Sequence, residues 1–135
     1  MQEGLPMTLN INPDTVRHLA DLARTFHAQE AVTIPEDMQQ PSGDWGNQLL
    51  AAHAGDPTLD EFRAVLTDLE PDQLAELVAL FRIGREDYAP GEWHVAVQRA
   101  GVETPRPLDD YLIGHPLLAE YLESGLEAVA DLEAE

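Results

Sequence analysis

Residues 74–93 read LAELVALFRIGREDYAPGEW, and the fold turns on how that stretch is read. Leu74, Leu77, Val78 and Phe81 recur at three- and four-residue spacing, which sets them on one stripe of an α-helix, and Leu80 and Ile83 widen the stripe. A helix apolar over that much of its girth belongs in the middle of a domain. Pro71 suits the first helical position and Asp72 the first turn, while Gly84 and Pro90-Gly91 supply the stop and the turn.

Working back from it, Leu59, Phe62, Val65, Leu66 and Leu69 form another stripe, entered through Asp56-Pro57-Thr58, with Thr58 and Glu61 at capping-box spacing. Glu70-Pro71 leaves almost no link, so these two helices are expected to form a tight hairpin. Asn12-Pro13-Asp14 starts the first helix, about 18 residues long, with Val16, Leu19, Ala20, Ala23 and Phe26 on its apolar side. Between Val32 and Gly43 the pattern breaks at Pro35 and Pro41, and only Val32 and Ile34 hint at extended chain. Asp44 then caps a short helix carrying Trp45, Leu49 and Leu50, with Trp45 as an anchor to the core.

Working forward, Glu92 to Ala100 makes a short helix ended by Gly101, with Trp93, Ala96, Val97 and Ala100 on one side. Thr104-Pro105-Arg106-Pro107 is a stiff connector. Leu108, Tyr111 and Leu112 form a brief helical segment stopped at Gly114. His115-Pro116 begins the last helix, whose stripe is Leu118, Tyr121, Leu122, Gly125, Leu126 and Val129. Gly125 is placed there to admit a neighbouring helix, since a mid-helix glycine otherwise costs about 1 kcal/mol relative to alanine. Asp131, Glu133 and Glu135 oppose the helix dipole, so that end is expected to fray.

The expected fold class is therefore all-α: a compact single domain of six or seven helices over residues 9–131, with a minor extended segment near 32–34. Residues 1–8 read as a flexible tail and 132–135 as an acidic end. The prolines that precede apolar runs are irregularly spaced, so they mark helix starts and not a repeat.

The chain carries 26 acidic residues against 7 arginines and no lysine, a net charge of −19. Binding nucleic acid through its phosphates needs a basic surface, and an anionic membrane is disfavoured for the same reason. The plainest meaning of the charge is a solvated acidic surface, as in a salt-adapted protein; mimicry of nucleic acid toward a basic protein is the sharper alternative. The charge is uneven. Residues 1–81 and 107–135 are strongly acidic, whereas 82–106 is neutral, with Arg82, Arg85, Arg99 and Arg106 against Glu86, Asp87, Glu92 and Glu103. That neutral band also holds Tyr88, Trp93 and His94.

There is no cysteine, hence no disulfide and no thiolate metal site. No metal or cofactor motif stands out: His18 and His27 lack the spacing of a helical metal pair, and nucleophile-elbow and phosphate-loop patterns are missing. The start lacks a signal-peptide pattern and no run reaches a membrane span, so a cytoplasmic location is expected. Asp109-Asp110 and Glu86-Asp87 are adjacent acids that an acid-rich chain supplies readily, and His115 reads as a helix-boundary residue or, less simply, a base.

In combination, LVALFRIGREDY at 77–88, Trp93 and YLIGHPLLAEYLESGL at 111–126 resemble the signature of a small bacterial domain-of-unknown-function family. The likeness begins at an LNI-type segment, Leu9–Ile11, and runs to Asp131, departing at 32–48. It implies a helical fold, no assigned activity and no catalytic residues. Function is therefore sought in the neutral band. Arg85, Tyr88, Trp93 and His94 are its candidate binding residues, because arginine and aromatic side chains combine large contact area with directed polar groups. The expected role is an interaction or accessory module for a basic or neutral protein partner; a small enzyme using acid/base residues near 85–115 is the alternative. For two residues a structural role competes, with Trp93 packing on Phe81 and Arg82 pairing with Glu86 one turn away.

Overall fold

A computed structural model describes residues 9–33 and 57–134 of the chain. Among the described residues there are six α-helices and no strand: α1 (Pro13–Thr33), α2 (Pro57–Asp68), α3 (Pro71–Gly84), α4 (Trp93–Glu103), α5 (Leu108–Ile113) and α6 (Leu118–Ala134). A 3-10 turn, Pro90–Glu92, leads into α4. The expected tail at 1–8 and the Trp45 helix lie outside the described residues. Val32 is part of α1 and not of an extended segment.

Local chemistry sets the helix starts. The Asn12 side-chain oxygen accepts from the Asp14 N–H at 2.8 Å, leaving Pro13 at the position that needs no donor. At the start of α3, Pro71 fills the first position and the Glu70 N–H donates to Gln73 Oε1 at 2.8 Å. The Thr58 and Glu61 read as a capping box both fall within α2. The helix begins at Pro57, so Thr58 lies inside it, and Glu61 meets His18 of α1 at 2.8 Å.

The central reading holds: every residue from Glu76 to Ile83 is buried. α3 packs chiefly against α6 and α4, while α1 packs against α6 and α2. The hairpin expectation is corrected here. The link of Leu69 and Glu70 is as short as read, but α2 lays Leu59, Phe62 and Leu66 toward α1 instead of along α3, whose flanks α6 and α4 already occupy.

Two glycines fix the α3–α6 crossing. A Cβ on Gly84 would lie 1.8 Å from the Tyr121 carbonyl oxygen, and one on Gly125 would lie 2.1 Å from that of Leu80. The pairs are reciprocal, each glycine sitting one turn beyond the backbone its partner touches. Gly125 therefore does what the stripe implied. Gly84 proves to be a contact residue and not the stop.

The helix ends through Glu86, whose φ is 70°. Its N–H donates to the Ile83 carbonyl at 2.9 Å, and the Asp87 N–H reaches back to that of Arg82 at 2.9 Å. These are the two bonds of a Schellman motif, with glutamate in the left-handed position where glycine is usual. Gly101 likewise does not end α4, which continues to Glu103.

One buried charge organises the amino-terminal segment. Glu76 is 4% exposed, and its carboxylate accepts from the backbone N–H groups of Asn10 (2.8 Å) and Ile11 (2.9 Å) and from the Asn10 amide (3.0 Å). Burial pushes its pKa up while those bonds act the other way. The latch seats Ile11 in the core.

Candidate functional site

The turn that closes α3 doubles back because Glu86 is left-handed, and this returns Asp87 to Arg85. Their ion pair spans 2.7 Å. The Arg85 guanidinium also lies over the Phe81 ring, 4.9 Å from its centroid, so the cation is held by a carboxylate and by an aromatic face. Phe81 in turn meets Tyr111, His115 and Tyr121 edge-on, at centroid distances of 5.9, 4.8 and 5.7 Å. Such contacts add about 0.5–1.5 kcal/mol each beyond burial. They join α3, α5, the α5–α6 turn and α6 around one ring.

His115 completes the arrangement. Its Nδ1 lies 2.7 Å from the Tyr111 carbonyl oxygen and therefore donates, which leaves the Nε2 lone pair to accept from Arg85 Nη1 at 3.3 Å. Burial pushes its pKa below the ordinary imidazole value, and the Arg85 charge adds to that against the pull of the Tyr111 bond. His27 of α1 reaches the same turn from the other side. Its Nε2 donates to the Ile113 carbonyl at 2.9 Å, and its Nδ1 is buried without a hydrogen-bond partner. Burial lowers its pKa too, with His115 contributing in the same direction. Two neutral imidazoles thus bracket the α5–α6 turn.

Arg82 departs from its expected pairing with Glu86. It is 9% exposed, its Nη2 donates to the Tyr111 hydroxyl at 3.3 Å, and its guanidinium carbon lies 5.8 Å from that ring's centroid. The reason is the helix end: Glu86 has left the α-helical path, so no i, i+4 geometry exists between them.

The four residues read as binding candidates take different places. Arg85 is half-buried in the cluster just described, and Tyr88 is half-buried a few residues on. Tyr88 lines a broad surface groove of about 520 Å³, with Ile83, Glu86 and Pro90 beside it and Ser124 and Ala128 of α6 opposite. His94 is exposed on the first turn of α4. Trp93 is 3% exposed and belongs to the core. The structure thus brings Arg85 into the Phe81 cluster and Tyr88 to the groove, and leaves Trp93 in the core.

Phe81, Tyr111 and Asp87 were not among the candidate binding residues, although all three stand in the stretches that carried the family resemblance. Chemically, the cluster is suited to holding and presenting a cation. His115 lies between a carbonyl and a guanidinium, with no hydroxyl nucleophile bonded to it among the described residues. Neither is there a metal-holding group of histidines and carboxylates among them. No helix among them is long and apolar enough to cross a membrane.

A family model described as a protein of unknown function, DUF3775, matches residues 59–130, more than half of the chain. The chain belongs to the DUF3775 family. No curated protein and no solved structure matches it. The DUF3775 span runs from α2 into the last turns of α6, so it contains both crossing glycines, the Phe81 cluster and the Tyr88 groove. It leaves α1, and with it His27, outside.

Proposed function

We propose that this DUF3775 chain is an interaction module that binds a basic or neutral protein partner through the turn between α3 and α4, with Arg85 and Tyr88 as anchors and His94 at the edge. The observation that carries it is the presentation of Arg85: a half-buried cation held by Phe81, Asp87 and His115 needs little further ordering to make contacts. Tyr88 stands beside it in a groove wide enough for partner side chains. Between the two lies the left-handed Glu86, a conformation that costs free energy and that concentrates at functional turns. The surrounding acidic surface favours a basic partner by steering its approach.

The immobilised chain is used to capture partners from an extract of the source cells, and the parent is compared with folded Arg85→Ala, Tyr88→Ala and His94→Ala variants. Loss of either anchor is expected to weaken a purified partner by about tenfold or more, and loss of His94 by less. Retention of the partner by all three, together with its loss on charge reversal along α6, would move the site to the acidic face. An enzyme would instead keep its binding partners and lose turnover.

A further inference from the structure

At the opposite end of α3 a second depression opens, of about 170 Å³, between Leu74 and Val78 of α3, Ala100 and Gly101 of α4, and Leu108 with Arg106 from the connector. Its walls are mainly apolar. Thr104, also at its edge, already donates its hydroxyl to the Ala100 carbonyl. A cavity of about 150 Å³ takes a benzene molecule, so the space suits one body of that size.

The rim carries one cation with unused capacity. Arg106 is exposed and makes no ion pair or hydrogen bond among the described residues, in a chain with 26 acids and 7 arginines. The nearest acids along the chain are both engaged by other arginines: Glu103 by Arg99 at 3.1 Å, and Asp109 by Arg63 at 2.9 Å. Five arginines of the chain hold carboxylates: Arg17, Arg24, Arg63, Arg85 and Arg99. Arg106 is left facing the groove with a planar fork suited to a carboxylate.

We infer that this groove is a binding site for a small apolar monocarboxylate, the benzene-sized body entering between α3 and α4 and the carboxylate meeting Arg106. The size of the space favours a free small molecule over a protein segment, since a specific protein interface buries about 1,200 Å² or more. Charge points the same way. A monoanion is repelled by this acidic chain far less than an acidic protein would be. The site is independent of the partner surface proposed at the other end of α3.

The test is a nuclear magnetic resonance titration of the isotope-labelled chain with 3-phenylpropanoate, using 3-phenylpropanamide as the uncharged control. Saturable shifts at the Ala100, Gly101 and Thr104 amides in the millimolar range are expected, about fivefold weaker for the amide and for the Arg106→Gln chain. Gly101→Leu serves as a filled-groove variant: a Cβ there meets nothing within 4 Å, so the fold tolerates it while the side chain occupies the space. It should abolish the shifts and leave the circular dichroism spectrum unchanged. No saturable shift, equal affinity for acid and amide, or persistence in Gly101→Leu would each overturn the inference. So would tighter binding of a tetrapeptide ending in a free phenylalanine, which would make the groove a reader of peptide ends.

Discussion

The two sides of α3 are built on opposite plans. Toward α6 its backbone touches its neighbour's at two glycines, and nothing larger than a hydrogen fits between them at either point. Toward α4 a depression opens at the amino-terminal end of α3, beside the connector, while the Tyr88 groove at the other end lies between the turn and α6, just past Gly84. Close packing of the first kind specifies one arrangement and resists change; the second leaves surface that a partner or ligand can fill. The α6 crossing and the α4-side depression thus put close packing and open surface on different sides of α3, whereas at its carboxyl end the Tyr88 groove opens directly beside the crossing glycine Gly84.

The sharpest way to break this comparison is to add a methyl group on each side. Gly84→Ala and Gly125→Ala put a carbon within about 2 Å of a backbone carbonyl oxygen, which only a shift of whole helices relieves. Each is expected to cost at least about 3 kcal/mol in denaturant titrations, whereas Gly101→Ala on the α4 side should be neutral or stabilising. Equal tolerance on both sides would end the distinction.

A smaller effect sharpens it at the turn. Glu86 occupies a left-handed conformation that glycine adopts freely, so Glu86→Gly should raise stability by about 1 kcal/mol. A loss measured in its place would mean that the glutamate side chain contributes more than its backbone conformation costs.

The smallest expected effect is the pH response at the α5–α6 turn. The folded pKa values of His27 and His115 lie below the ordinary 6.5, so below that pH the unfolded chain binds protons more readily than the folded one. Their contribution is present above about pH 6.5 and is lost as pH falls through the folded values. Glu76 and Asp110, both raised chiefly by burial, act in the opposite sense: their contribution is present below the ordinary carboxylate values and is lost as pH rises through the folded ones. The informative quantity is therefore a difference between proteins. Stability should fall less steeply between about pH 7 and pH 5.5 in His27→Gln and His115→Gln than in the parent, and identical slopes would count against the two neutral imidazoles.

Much of this was legible in the sequence wherever the cause is local. Asn12-Pro13 and Pro71 marked their helices because capping is settled within three residues, and the stripes of α3 and α6 show because burial repeats with the helical period. Gly125 was legible for a related reason, as a costly residue inside a good helix. Gly84 was misread because the local grammar of a helix end also asks for glycine, while its real partner, Tyr121, is far along the chain. Glu76 passed as one acid among many, since its donors at Asn10 and Ile11 are brought to it only by the fold. In the candidate site, Arg85 and Tyr88 stood out by composition, but the contacts of Arg85 with His115 and of Phe81 with Tyr111 join segments about thirty residues apart. Trp93 carried the same compositional signal and lies in the core, because indole area serves a core as well as an interface.

Amide hydrogen exchange of the chain, free and bound to a captured partner, tests the central claim most directly. Protection on binding is expected at residues 85–94, with the amides along the exposed acidic side of α6 unchanged. Protection confined to that side of α6, with 85–94 exchanging as in the free chain, would contradict it.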